Sequence, residues 1–180
     1  VEPIGDQYIL VLQKKIIKRD LKNFEKLFLA SKENPKNLDI LLELARTASQ
    51  LNKTDIEISS LKKILSIKNS TKLKSLLAQA YIRKADGQVT SKAQKLINEA
   101  LAEDPLDPGA NFLNGLAQSQ IGNEMLAFEI WTELYKRTSE NDIWKKDLEN
   151  NIRSAAKNLG ISQKTLENNL KDNVLANNGL

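Results

Sequence analysis

Apolar residues recur along this chain at helical spacing and, on a longer scale, at a period near 34 residues. Aligned on Pro35, Asn69, Pro105 and Ser139, which are 34, 36 and 34 positions apart, one column reads Leu27, Leu61, Ile97 and Trp131. A second reads Ala30, Ile64, Ala100 and Leu134. Within each segment the two columns are three residues apart, so they share one helix face. A third column is small, with Ala93 and Ala127 and with Glu57 as a departure. The segments before these carry a matching small residue, Ala45, Ala78 and Gly115, each preceded within two positions by Leu44, Leu77 or Leu113. A small side chain there lets the two helices of a hairpin approach closely while the leucine fills the adjacent gap.

A period of this length with these columns predicts an all-α fold, a stack of tetratricopeptide-repeat (TPR) helical hairpins forming an α-solenoid. The expected hairpins cover residues 4–34, 38–68, 72–104 and 108–138, followed by a closing helix at 142–158. In domain terms these are an N-terminal hairpin at 1–34, repeats at 35–139, and a capping helix with a tail at 140–180. Each repeat buries its apolar face only on its neighbours, so the stack needs an atypical end, and Trp144, Leu148, Ile152, Ala155 and Leu159 give the closing helix its apolar stripe. Local signals agree with the boundaries. Asp107 before Pro108 predicts an N-cap followed by a proline whose missing N–H is harmless in a first turn. Gly122-Asn123 marks a tight turn, and Gly87 lies in a longer loop, 84–91. Gly160 ends the closing helix, and Ser162 caps a short last helix with Ile161 and Leu166 at staple spacing. Past Lys171 the segment DNVLANNGL is expected to fray.

Composition narrows the chemistry. There is no Cys and no His. A thiolate nucleophile, an imidazole base, a Ser-His-Asp triad, a zinc-thiolate site and a His metal ligand are therefore excluded, and Met125 alone makes no transition-metal or haem site. Glu99, Glu103, Asp104 and Asp107 cluster at a repeat boundary, where solvated helix-end charges are the better reading than paired catalytic carboxylates. The glycines match no phosphate-binding loop. No catalytic residue, metal or cofactor is assigned, and the expected activity is binding rather than turnover. Trp131 and Trp144 sit at core positions rather than in a ligand box. The net charge of +4 is too small and too dispersed for a nucleic-acid footprint. One dense stretch, Lys14, Lys15, Lys18, Arg19, Lys22 and Lys26 beside Ile16, Ile17, Leu21 and Leu27, reads as a solvated helix face, with anionic lipid as the sharper alternative. No run approaches the length of a membrane span, and the chain reads as a soluble part.

Function then falls to the groove that first helices line in this architecture. Counting from the small packing column gives Leu42, Arg46, Ser49 and Gln50; then Ser75, Gln79, Ile82 and Arg83; then Phe112, Leu116, Ser119 and Gln120. Apolar side chains interspersed with Arg and Gln suit an amphipathic peptide.

Residues Leu76 to Gly160 are more specific than a generic repeat. Gly87, Val89 and Thr90 in the long loop, Ala100-Leu101 with Asp104-Pro105, Gly115-Leu116-Ala117, Gln120, Gly122, Ala127, Trp131, Leu134 and Trp144 resemble the repeat domain of CcmI/CycH-type cytochrome c biogenesis factors. Asn114 and Glu57 depart from that pattern. The resemblance implies a periplasmic domain, tethered to the inner membrane by a segment preceding Val1. It further implies that this domain binds apocytochrome c, chiefly its C-terminal helix, and delivers it to the other subunits of the maturation and haem-ligation complex. The alternative is a TPR scaffold of another assembly, such as the maturation subunit for multihaem nitrite reductase.

Overall fold

The computed structural model describes residues 4–168 and Leu170, with side chains from residue 13 onward. All regular structure among the described residues is helical. The chain forms two compact units, Val1–Asn69 and Ser70–Leu180. This division differs from the expected breaks after residues 34 and 139, because the closing helix packs within the second unit. The tail past Lys171 lies outside the described residues.

In the first unit α1 (Ile4–Glu33), α2 (Leu38–Gln50) and α3 (Thr54–Ile67) follow one another. The hairpin expected over 4–34 is corrected here: those residues form one continuous helix of 30 residues. The reason is compositional, since neither Gly nor Pro occurs between Asp6 and Asn34 and nothing interrupts the backbone ladder. Its C-terminal part is packed. Phe24 joins Leu44 and Ala48 in a core bordered by Leu27, Phe28, Leu51 and Ile56. Asn37 caps α2 by accepting from the Ile40 N–H at 3.1 Å. Leu44 and Ala45 are buried as their column predicts, and Glu57, the departure, is buried too at 4% exposure.

The second unit contains α4 (Thr71–Lys84), α5 (Ser91–Glu103), α6 (Pro108–Gln120), α7 (Glu124–Lys136) and α8 (Lys145–Asn158), then a short helical segment at 163–168. Two pairs match the expected hairpins at 72–104 and 108–138. The closing helix begins three residues later than expected, at Lys145. One core gathers Ala78, Ile82, Ala93, Ile97 and Leu113. The other gathers Ala127, Trp131, Leu134 and Tyr135 with Leu148, Ile152 and Leu166 from the closing segment. Gly115 faces Trp131, whose indole N–H donates to the Phe112 carbonyl at 3.0 Å. Asp107 both caps α6, accepting from the Ala110 N–H at 2.7 Å, and accepts from the Ser75 hydroxyl at 2.7 Å, which ties α4 to α6. Gly160 adopts φ +72, a value its position after α8 requires. Ser162 caps the last segment by accepting from the Thr165 N–H at 3.2 Å.

Tyr135 is buried against α8, where its hydroxyl donates to Glu149 at 2.7 Å and Lys145 lies 4.5 Å from the ring centre. Burial, reinforced by the bond to the Glu149 carboxylate, pushes its phenol above the ordinary tyrosine range. The folded state therefore keeps this proton after the unfolded chain has begun to lose it near pH 10. Stability contributed by Tyr135 is complete below that value and falls as pH rises beyond it. In urea titrations, the difference between wild type and Tyr135→Phe is expected to be constant up to about pH 10 and to shrink above it. A difference that stays constant through that range would show that the phenol is not held neutral.

Candidate peptide-binding face

The expected carboxylate cluster is fully employed in structural contacts. Glu103 pairs with Lys74, Asp104 accepts from the Leu106 N–H at 2.9 Å, Asp107 is the α6 cap, and Glu99 lies 3.9 Å from Lys95. Among the described residues no group of His, Cys, Asp and Glu is arranged to hold a metal ion. No described helix is long and apolar enough to cross a membrane.

In the first unit the candidate positions on α2 lie toward solvent: Leu42, Arg46 and Gln50 are exposed and Ser49 is half-buried. The Arg46 guanidinium grips Glu43 on its own helix through Nε at 3.0 Å and Nη2 at 2.5 Å. That hydrogen bond holds the Glu43 carboxyl below its ordinary pKa. Arg46, Thr47, Gln50 and Leu51 form one wall of a cleft of about 760 Å³, whose other wall is α1 with Ile17, Arg19, Asp20, Lys22, Asn23 and Lys26. The α1 wall was not part of the sequence-based groove. It follows from α1 continuing as one helix alongside α2.

In the second unit the face of α4 is rotated from the expected one. Ile82 is 5% exposed and sits in the α4–α5–α6 core, and Ser75 is buried on Asp107. Neither is available to a ligand, which corrects both assignments. The solvent-facing stripe runs Lys72, Leu76, Gln79 and Arg83. Leu76, at 38% exposure, is the apolar residue that counting from the small column missed. It is adjacent to Ser75, and one residue is a rotation of about 100°. Phe112 and Leu116 on α6 are half-buried and border both cores of the unit. Phe112 meets Trp144 edge-on, with centroids 6.4 Å apart and ring planes at 82°. It is therefore as much a packing residue as a surface one.

Two further expected groove residues serve the fold. Gln120 clamps the loop between α4 and α5: its amide donates to the Gly87 carbonyl at 2.7 Å and its carbonyl accepts from the Val89 N–H at 2.8 Å. Ser119 donates to Glu124 at the start of α7 at 3.1 Å. These bonds span the turn at Gly122 and the loop at Gly87, the two positive-φ glycines there. A ligand could recruit Gln120 only by releasing that loop, leaving backbone groups to be satisfied again.

No protein-family model matches the chain, and no curated protein matches it in sequence. Similar solved structures exist. One crystal structure of MamA is 19% identical, covering 92% of this chain and 86% of its own, with a TM-score of 0.61. A second MamA structure is 18% identical over 100% of this chain and 99% of its own, at 0.63. TTC0263, a thermophilic TPR protein in Thermus thermophilus, is 17% identical over 95% and 96%, at 0.59. At these identities the likeness carries the fold and nothing finer: the chain is an all-α protein with the tetratricopeptide-repeat architecture.

Proposed function

We propose that this chain is a protein-binding module whose Ser70–Leu180 unit receives an amphipathic segment along α4 and α6, and that the segment is the C-terminal helix of an apocytochrome c. The observation that carries the reading is the α4 stripe, in which exposed Leu76 sits between Lys72 and Gln79 with Arg83 beyond, beside an α6 bearing half-buried Phe112 and Leu116. An apolar anchor flanked by cationic and amide groups fits a helix with one apolar face and acidic or amide neighbours. The client follows from the resemblance of Leu76–Gly160 to the CcmI/CycH-type repeat domain. A chain lacking Cys also forms no mixed disulfide with the reduced haem-binding thiols of such a client. The same reading places the domain in the periplasm, tethered by a segment outside this sequence, where it passes its client to the other maturation subunits.

Titration of the full chain with a C-terminal apocytochrome c peptide should saturate, and a scrambled peptide of the same composition should not. Folded holocytochrome should compete poorly, because its terminal helix is already packed. Leu76→Ala should weaken binding about tenfold, as truncating an interface anchor does, with the thermal midpoint unchanged at so exposed a position. Equal binding of both peptides would remove the cytochrome client and leave a general TPR scaffold. Binding unaffected by Leu76→Ala would remove the α4 face.

A further inference from the structure

Residues 13–22 of α1 receive almost none of the burial that normally sustains a helix in a protein. Every residue from 13 to 19 is exposed, and the first buried side chain among the described residues of α1 is Phe24. Isolated helices are marginal in water, and most helical stability comes from packing an apolar face. Such a face exists here and is uncovered: Ile16 is 49% exposed, Ile17 53% and Leu21 38%. At about 100° per residue Ile17 and Leu21 fall on the stripe that continues into packed Phe24 and Phe28, and Ile16 flanks it about 100° away with Asp20 between them; Lys15, Lys18, Lys22 and Arg19 lie on the other side, and Lys14 borders Leu21. No acidic residue occurs from Gln7 to Arg19, a stretch that holds Lys14, Lys15, Lys18 and Arg19. Arg19 meets Asp20 at 3.4 Å, and Lys14, Lys15 and Lys18 have no acidic partner among the described residues.

We infer that the 13–22 stretch of α1 lies on the surface of an anionic lipid bilayer, with Ile16, Ile17 and Leu21 in the interface and the lysines among the headgroups. The charge pattern selects the occupant. A second copy of α1 would bring the same four cations against each other, with no acids in the stretch to offset them, whereas an anionic surface neutralises them. An apolar stripe opposite a lysine-rich face is the form of a helix that lies in the plane of a membrane interface. The inference is independent of the client proposed above, which concerns α4 and α6.

Flotation of the full chain with phosphatidylcholine vesicles, with and without phosphatidylglycerol, tests it. The chain should float with the anionic vesicles, stay below with the neutral ones, and be released by high salt. Each cation near such a surface contributes about fivefold in partitioning, so Lys14→Gln/Lys15→Gln/Lys18→Gln/Arg19→Gln should lower binding several hundred-fold. Ile16→Ser/Ile17→Ser should lower it at least about tenfold through lost apolar burial. These positions are exposed, so circular dichroism should be unchanged, and peptide binding should persist in both variants. Equal flotation with both vesicle types overturns the inference, as does wild-type flotation of the quadruple variant. Self-association that Ile16→Ser/Ile17→Ser abolishes, without vesicle binding, likewise overturns it and assigns the face to a second copy.

Discussion

Replacing Gly115 by alanine is expected to destabilise the Ser70–Leu180 unit by about 3 kcal/mol, although the same change in an exposed helix interior stabilises by up to about 1 kcal/mol. The sign is decided by Trp131. A Cβ on Gly115 would lie 2.2 Å from the indole nitrogen, 2.5 Å from Cε2 and 2.7 Å from Cδ1. The ring is 3% exposed and fixed by its hydrogen bond to the Phe112 carbonyl, so it has no free space to enter. Overpacking of this kind costs about 1–3 kcal/mol, and a buried indole N–H displaced from its acceptor costs about 1–3 kcal/mol more, against the propensity gain. For a chain of this length that is a fall of roughly 6–12 °C in melting temperature. Trp131→Leu destabilises by itself, but in the Gly115→Ala background its further cost should be smaller by at least about 1 kcal/mol, because the clash has been removed. A Gly115→Ala variant that melts at or above wild type would mean that α6 and α7 do not approach as closely as described.

That contact also explains why the fold is more legible in the sequence than the binding face. Gly115, Ala78 and Ala45 stand out because close helix approach tolerates few side chains, and the requirement returns with every repeat. The buried columns Leu61, Ile97 and Trp131 are legible for the same reason. The reading of 4–34 as a hairpin carried the repeat period one unit too far. The contrary signal was local: neither Gly nor Pro occurs between Asp6 and Asn34. Groove positions are harder because they depend on helix rotation. Ser75 and Leu76, or Ile82 and Arg83, exchange core for solvent across a single residue, and a count from the packing column is good to about one position. Gln120 was out of reach of pattern altogether, since its partners Gly87 and Val89 are 33 and 31 residues away. The cleft beside α2 was missed because its second wall depended on the continuity of α1.

The closing helix provides the other large effect. Leu148 and Ile152 are fully buried on Trp131, Leu134 and Tyr135, and a solenoid end without such a cover exposes the apolar face of its last hairpin. Truncating either to alanine should cost about 2–5 kcal/mol, since the surrounding ring and leucine side chains can collapse only partly into the space. Being one helical turn apart in one core, the two losses should not add fully. Against a typical stability of about 5–15 kcal/mol, Leu148→Ala/Ile152→Ala should leave the unit largely unfolded near its normal working temperature. Ile143 offers the control. It precedes the same helix but is 97% exposed, so Ile143→Ala should stay within about 0.5 kcal/mol of wild type. Both tryptophans of the chain, Trp131 and Trp144, lie in this unit, so tryptophan fluorescence during urea unfolding follows it without contribution from Val1–Asn69. The double variant should show a fluorescence midpoint shifted far below wild type, or a signal already unfolded in buffer. If its midpoint stayed where wild type has it, α8 would be an appendage rather than the cap, and the apolar face of α7 would need another cover.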